Sequence, residues 1–225
     1  SAKRRVTLDE HVVEIMSDSG EGAQKCGQSF GSIAARMGNG VWTMEIIPAE
    51  IQPPARSVAG ASGNRIRIGS QRVTNGGDEA DLAIAFNEQV LLGRVNAGEL
   101  KPGCIILLES MWAESADPKI AAQYVETRDR LLAEGYRVHE VPLTSLTLEA
   151  VKGTGLSNRE AERSKNMFAL GLMSWLYTRP TEGTIAYIEK KFARRPEIAE
   201  ANARAFNAGY AFGETTEVFA VTYEV

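Results

Sequence analysis

The residues with the clearest chemical capacity lie in "SDSGEG", Ser17 to Gly22, with Lys25 following about one helical turn later. Gly20 and Gly22 stand where a β-branched run, "HVVEIM" (11–16), gives way to apolar residues at helical spacing. Glycine lets a backbone approach a ligand closely, and the first turn of a helix offers unpaired N–H groups with partial positive charge. That is phosphate-binding chemistry, to which the Lys25 ammonium would add a full charge. The pattern is neither GxGxxG nor the GK[ST] of a P-loop. Asp18 and Glu21 would repel a bare phosphate unless they point away or bind a hydroxyl or amine. The same glycines also suit a tight strand-to-helix turn in which Asp18 or Ser19 caps the helix. On pattern alone both readings stand.

A second candidate is the stretch "AEIQPPARSVAGASG" (49–63), whose prolines, glycines and small residues read as a long loop. It follows a strand, and loops at the carboxyl ends of parallel strands border the ligand crevice of such sheets. Glu50 and Arg56 could therefore reach a ligand held by the first turn; a subunit contact or a surface excursion explains the loop equally well. Asn87, at the end of "DLAIAFN", is a third candidate, although an N-cap for the following helix accounts for it better. Conventional catalytic sets lack support. His11 and His139 fall before and within strands, which favours core or surface roles, and there is no G-x-S-x-G elbow. The carboxylates Glu14, Asp18, Glu21, Glu45 and Glu50 lie near expected strand ends, at distances the sequence leaves open. Cys26 and Cys104 have no CxxC or Cys/His spacing, so they are expected to be small buried apolar residues rather than ligands of a metal or cluster. Taken alone, the chain reads as a binding or accessory domain more than a complete enzyme.

The elements that must position these residues alternate. Ala23, Cys26, Gly27, Phe30, Ile33, Ala34 and Met37 form one buried helical stripe, stopped by Gly38-Asn39-Gly40. "VWTMEIIP" (41–48) then reads as a strand, giving a β–α–β start with a right-handed crossover. "RIRIGSQRVT" (65–74) predicts a hairpin turning at Gly69-Ser70 in type II′ geometry. "DLAIAF" (81–86) and "CIILLE" (104–109) have the continuous apolar character of strands covered on both faces. Helices are expected between them and around Ile120, Tyr124 and Leu131, and a further strand over "YRVHEVP" (136–142). From about 144 onward the pattern is helical. Ser157 and Glu160 have capping-box spacing ahead of "RSKNMFALGLMSWLY", which is apolar nearly all round and so should be buried. "EGTIAYIEKKFARR" and "PEIAEANARAFNAGYAFGE" complete the helices, with the cations of "KKFARR" (190–195) on a solvated face. The result is one α/β domain, a three-layer α/β/α arrangement around a mostly parallel, doubly wound sheet, with a β-hairpin and a helical C-terminal third.

The bulk composition bounds the partners. Of 225 residues, 44% are hydrophobic and 24% charged, enough for a sizeable core. A net charge of −4 argues against a nucleic-acid binder, which needs a basic stripe. No apolar run approaches the ~20 residues of a membrane span. "SAKRRVTLDE" lacks a following apolar segment, so no secretion signal is expected there; Ser1-Ala2 reads as a cloning remnant, and a cytoplasmic location fits.

Several segments fall in the order of one family: "DSGEGAQ", the "PAEI" loop with its glycines, "DLAIAFN", "VPLTSLTLEAVKGTGLS", "RSKNMFALGLMSWLYTRPTEGTIAYIEKKFA" and "NARAFNAGYAFGETTE". From about His11 to Glu217 the chain resembles the gamma domain of 2-oxoacid:ferredoxin (acceptor) oxidoreductases. Within that family it is most similar to the N-terminal domain of the alpha subunit of 2-oxoglutarate-type enzymes. The resemblance implies a part in oxidative decarboxylation: thiamine diphosphate attacks the 2-oxoacid, carbon dioxide leaves, electrons pass through iron–sulfur clusters to ferredoxin, and coenzyme A takes the acyl group. The sequence shows no GDG…N thiamine motif and no cysteine set for a cluster. Thiamine diphosphate, magnesium and the clusters are therefore expected in other domains of the alpha subunit and in a thiamine-binding beta subunit. The chain is then a fragment or subunit of a larger enzyme, inactive in isolation. By position, the resemblance also implies that Ser17, Asp18, Ser19, Gly20, Glu21 and Gly22, with Lys25 and Arg56, meet coenzyme A. Glu21 and the Pro53-Pro54 pair depart from the family pattern there. A structural interaction domain without a ligand, or a free-standing nucleotide-binding protein, are the alternatives.

Overall fold

The computed structural model describes residues 3–225, and the reading of Ser1-Ala2 lies outside the described residues. The strands are β1 (Arg4–Thr7), β2 (Glu10–Ser17), β3 (Gly40–Ile46), β4 (Ser62–Gly69), β5 (Ala80–Ala85), β6 (Leu100–Glu109), β7 (Arg137–Val141) and β8 (Val221–Glu224). Six of them form the central sheet in the order β3-β4-β2-β5-β6-β7. β2, β5, β6 and β7 are parallel to one another, while β4 runs antiparallel to both β2 and β3. β2 and β3 thus point the same way, as the β–α–β reading requires, but β4 separates them. The apolar runs behave as expected: β2 is buried from His11 to Ser17, and β5 is buried except for Asp81.

The hairpin expected at Gly69-Ser70 does not form. β4 is already paired on both edges, to β2 from Glu10↔Gly69 to Ser17↔Ser62 and to β3 from Gly40↔Gly69 to Ile46↔Gly63. No edge remains for a partner from residues 70–79, which run as an irregular segment. The antiparallel partner of β4 is instead β3, across the long loop. β1 and β8 add a separate two-stranded parallel sheet, from Arg4↔Val221 to Thr7↔Glu224, which the sequence pattern did not signal.

The helices are α1 (Ala23–Arg36), α2 (Glu88–Asn96), α3 (Pro118–Ala133), α4 (Leu143–Ala150), α5 (Asn158–Glu162), α6 (Lys165–Leu176), α7 (Glu182–Lys191) and α8 (Pro196–Thr215). Alternate residues of each inner strand serve opposite faces. Val13, Ile15, Leu82, Ile84 and Leu107 pack with α1, α6 and α8, whereas Met16, Ala83, Ala85, Ile106 and Leu108 pack with α2 and α3. That is the three-layer, doubly wound arrangement. The connection from β2 runs by α1 to one side of the sheet, and that from β5 runs by α2 to the other. The carboxyl ends of β2 and β5 therefore flank the switch point where a crevice opens.

α6 is buried at every position except Asn166, which accounts for its all-round apolar character. It crosses α8 at glycine on both sides. A methyl on Gly171 would sit 1.9 Å from the Phe206 carbonyl oxygen, and one on Gly209 would sit 2.0 Å from that of Phe168. Backbone cannot yield as a side chain can, so Gly171→Ala is expected to cost about 3 kcal/mol in urea denaturation. Gly183→Ala in α7, where a methyl meets nothing within 4 Å, is expected instead to raise stability by about 0.5 kcal/mol.

Candidate functional site

The turn after β2 needs its two glycines. Gly20 has φ 87° and Gly22 φ 96°, in the left-handed region that side chains disfavour. Gly22 is itself the N-cap of α1. No side chain caps this helix and no acidic residue lies in its first turn. Asp18 and Ser19 thus do not cap it. The Asp18 carboxylate is occupied elsewhere, accepting the Arg56 backbone N–H at 3.0 and 3.1 Å, and Ser19 is exposed. Ser17, buried at the end of β2, donates its hydroxyl to the Asp18 carbonyl at 2.8 Å. The outcome is a helix N-terminus whose first N–H groups have no carboxylate competing for them.

That N-terminus opens on a cleft of 470 Å³. Gly20, Glu21, Gly22 and Lys25 form one wall, and α5 to α8 form the other. The far wall brings Arg163, Lys191 and Arg195 toward Lys25, so four cations face two carboxylates, Glu21 and Glu160. Arg195 pairs with Glu197 at 2.9 Å. Leu156, Met167, Tyr187, Phe192 and Ile198 supply apolar and aromatic surface. A cationic cleft with an uncapped helix end and an apolar floor suits a long polyanion that carries a flat or aliphatic portion.

The structure divides the residues singled out by sequence. Gly20, Glu21, Gly22 and Lys25 line the cleft, while Ser17, Asp18, Ser19 and Arg56 do not. Arg56 lies in the loop between β3 and β4 with φ 54°. Its Nη2 donates to Glu88 Oε2 at 2.7 Å, its Nη1 lies 2.5 Å from Oε1, and its guanidinium stacks 4.4 Å from the Trp112 ring centroid. Both partners are nearly dry, with 7% and 0% of their side chains exposed. Asn87 is the N-cap of α2, accepting the N–H groups of Gln89 and Val90 at 3.0 Å.

Of the other titratable candidates, Glu14, His11 and the two cysteines are absorbed by the fold, whereas Glu45 and Glu50 are exposed and line no part of the cleft. Glu14 sits within β2 and not at its end, held by Arg65 at 2.9 Å and Arg94 at 2.7 Å. His11 lies within β2 with Nδ1 2.6 Å from the Tyr177 hydroxyl, and burial pushes its imidazole pKa down. Burial raises both thiols to about 12, so Cys26 and Cys104 are unsuited to act as thiolate ligands.

Two groups escaped the sequence reading. Lys165, the first residue of α6, lies 3.2 Å from Glu21 Oε2 and 3.3 Å from the Thr144 hydroxyl. Glu109, at the end of β6, accepts the Thr144 N–H at 2.9 Å, the Thr144 hydroxyl at 2.8 Å and the Met111 N–H at 3.1 Å. Burial nonetheless holds its carboxyl pKa above the ordinary range. The only signal in the sequence was a lysine opening an otherwise apolar run.

Removing Arg56 would leave Glu88 as a buried charge without its cation. Arg56→Ala is expected to cost about 3 kcal/mol, and Lys25→Ala, at an exposed position, under about 0.5 kcal/mol. Chemical denaturation of the two variants checks the contrast.

Comparison with known proteins bears on the family and the fold. The family model described as pyruvate ferredoxin/flavodoxin oxidoreductase matches residues 12–212. The chain is 40% identical over all its 225 residues to the 2-oxoglutarate oxidoreductase subunit KorA of Mycobacterium tuberculosis, of which it covers 34%. It therefore spans about a third of that relative's length. Among solved structures, the 2-oxoglutarate:ferredoxin oxidoreductase of Magnetococcus marinus, with 2-oxoglutarate, coenzyme A and succinyl-CoA bound, superposes with a TM-score of 0.70 at 23% identity, over 97% of this chain and 33% of that one. The pyruvate oxidoreductase subunit PORC of Thermotoga maritima gives 0.55 at 20% identity, over 91% of this chain and 97% of that one. The gamma subunit of the keto/oxoacid ferredoxin oxidoreductase of Geobacter sulfurreducens gives 0.54 at 18% identity, over 92% and 99%. At these identities the structural likeness speaks for a shared fold.

Proposed function

The chain belongs to the pyruvate ferredoxin/flavodoxin oxidoreductase family, and from that premise we propose that it is the gamma-type domain of a 2-oxoacid:ferredoxin oxidoreductase acting on 2-oxoglutarate. Its task is to wall a coenzyme A site and to provide an assembly surface in the cytoplasm. The observation that carries the reading is the cleft, where an uncapped α1 and the Lys25 cation face apolar surface on α6 to α8. Coenzyme A is a polyanion with an aliphatic arm and an aromatic base, and that description matches the lining. The N–H groups following Gly20 to Gly22 would meet phosphate oxygens, and Lys25 would add a charge-assisted bond. Ser17, Asp18 and Ser19 shape the turn. Arg56 enters as the residue that fixes Asp18, since its guanidinium is committed to Glu88.

Thiamine diphosphate, its magnesium ion and the iron–sulfur clusters belong, in this reading, to the remaining alpha-subunit domains and the thiamine-binding beta subunit. They supply the decarboxylation and carry electrons to ferredoxin. This chain's part is to hold the acyl acceptor and exclude water around it. Among the described residues no group of three His, Cys, Asp or Glu is arranged to hold a metal, and no helix is long and apolar enough to cross a membrane.

A purely structural role has one observation of its own. Trp42 and Met44 on the edge strand β3, with Ile47 and Ile51 in the loop beyond it, are exposed large apolar residues, Ile51 at 97%. Such a patch suits an interface with other parts of the enzyme.

Calorimetry of coenzyme A against the chain assembled with its partner subunits separates the two roles. Lys25→Ala is expected to weaken binding about fivefold and Lys25→Glu about tenfold or more. Unchanged affinity in both variants would remove the cleft from the coenzyme A site and leave the interface role.

A further inference from the structure

We propose that Lys165 is a positioning residue that keeps the Glu21 carboxylate from opposing an anionic ligand at the glycine turn. The inference rests on the coenzyme A reading of the cleft. A carboxylate inside a phosphate-binding turn is otherwise hard to reconcile with that ligand, and Glu21 lines the cleft directly.

Both oxygens of Glu21 are engaged. Oε1 accepts the Asp18 backbone N–H at 3.1 Å, which closes the turn from within, and Oε2 lies 3.2 Å from Lys165 Nζ. Neither is left to draw on the N–H groups at the start of α1. The ammonium is well placed to stay there. Its side chain is 8% exposed, lies 4.9 Å from the Phe86 ring centroid, and also reaches the Thr144 hydroxyl at 3.3 Å. Those contacts come from the carboxyl ends of the parallel strands: Phe86 follows β5, Thr144 follows β7 and bonds Glu109 at the end of β6, and Glu21 follows β2. One lysine thus stands over the switch point and neutralises the only carboxylate of the turn that faces the cleft. A buried cation of this kind persists when a carboxylate compensates it.

The pairing makes a directional prediction about charge. With Lys165 in place, the Glu21–Lys165 pair presents little net charge to an approaching phosphate; without it, the full negative charge of Glu21 faces the ligand. Coenzyme A affinity of the assembled enzyme is measured by calorimetry for wild type, Lys165→Met, Glu21→Gln and the double variant, with thermal unfolding of each as a check on folding. Lys165→Met is expected to weaken binding on the order of tenfold, and less so at high salt. Glu21→Gln alone is expected to bind at least as tightly as wild type, and the double variant to return within about twofold of it. A loss of affinity in Lys165→Met that salt leaves unchanged would mark a structural role and would also overturn the proposal, because salt screens a charge repulsion. Wild-type affinity in Lys165→Met, weaker binding in Glu21→Gln, or a double variant as weak as Lys165→Met would each overturn the proposal. Lys165→Gln replaces the methionine variant should that one fail to fold. Amide exchange tests the contact without any ligand: Lys165→Met is expected to speed exchange at Asp18 to Gly22 and leave the interior of α6 protected, and unchanged exchange in the turn would overturn it. An assembled wild type that binds no coenzyme A would count against the reading of the cleft alone, since the exchange measurement still decides the role of Lys165.

Discussion

A carboxylate that water cannot reach must find its cation inside the protein, and Glu88 has no exposed side-chain surface. Arg56 reaches it from the long loop between β3 and β4, and the rest of the site follows from that contact. The pair ties the loop to the start of α2 and lays the guanidinium on Trp112, whose indole N–H is in turn held by the Phe86 carbonyl at 2.8 Å. With Arg56 fixed, its backbone N–H fixes Asp18, and Asp18 begins the glycine turn. A loop residue that binds no part of the cleft therefore decides where the first N–H groups of α1 point. The positive φ at Arg56 is a local strain that such an anchor can sustain.

The opposite wall depends mainly on packing, with the Lys165–Glu21 pair tying it to the turn. α6 can serve as the inner helix of the C-terminal third because its surface is apolar on all sides and because glycines let α8 approach its backbone. That close approach brings the ends of α7 and α8 around to face the start of α1. The cations of the far wall are thus presented by the exposed ends of helices whose other faces are buried. Charged groups at exposed helix ends stay hydrated, which is compatible with the ligand-binding role proposed for the cleft.

Much of the architecture could be read from pattern. A β-branched run placed β2, continuous apolar runs placed β5 and β6, a three-and-four spacing placed α1, and the all-apolar run placed α6. The failures have definite causes. Residues 65–74 carry the alternation and the Gly-Ser turn of a hairpin, but pairing is decided by which strand edges are free, and both edges of β4 are taken. β1 and β8 are short strands from opposite ends of the chain, so neither has a neighbour in sequence to announce it. Asp18 and Ser19 have the right chemistry for a cap, yet a glycine one residue before α1 took that place because the turn needs φ 96° there.

What the sequence determined by itself was the turn: two glycines and a lysine where a strand meets a helix, a local arrangement that local propensities can specify. Which cation answers which carboxylate was decided only in three dimensions. Arg56 looked like the ligand-binding cation and is instead spent on Glu88, 32 residues away, while Glu21 is answered by Lys165, 144 residues away. Charge pairing depends on distance and desolvation, and neither exists until the helices of the C-terminal third have packed over the carboxyl ends of the sheet.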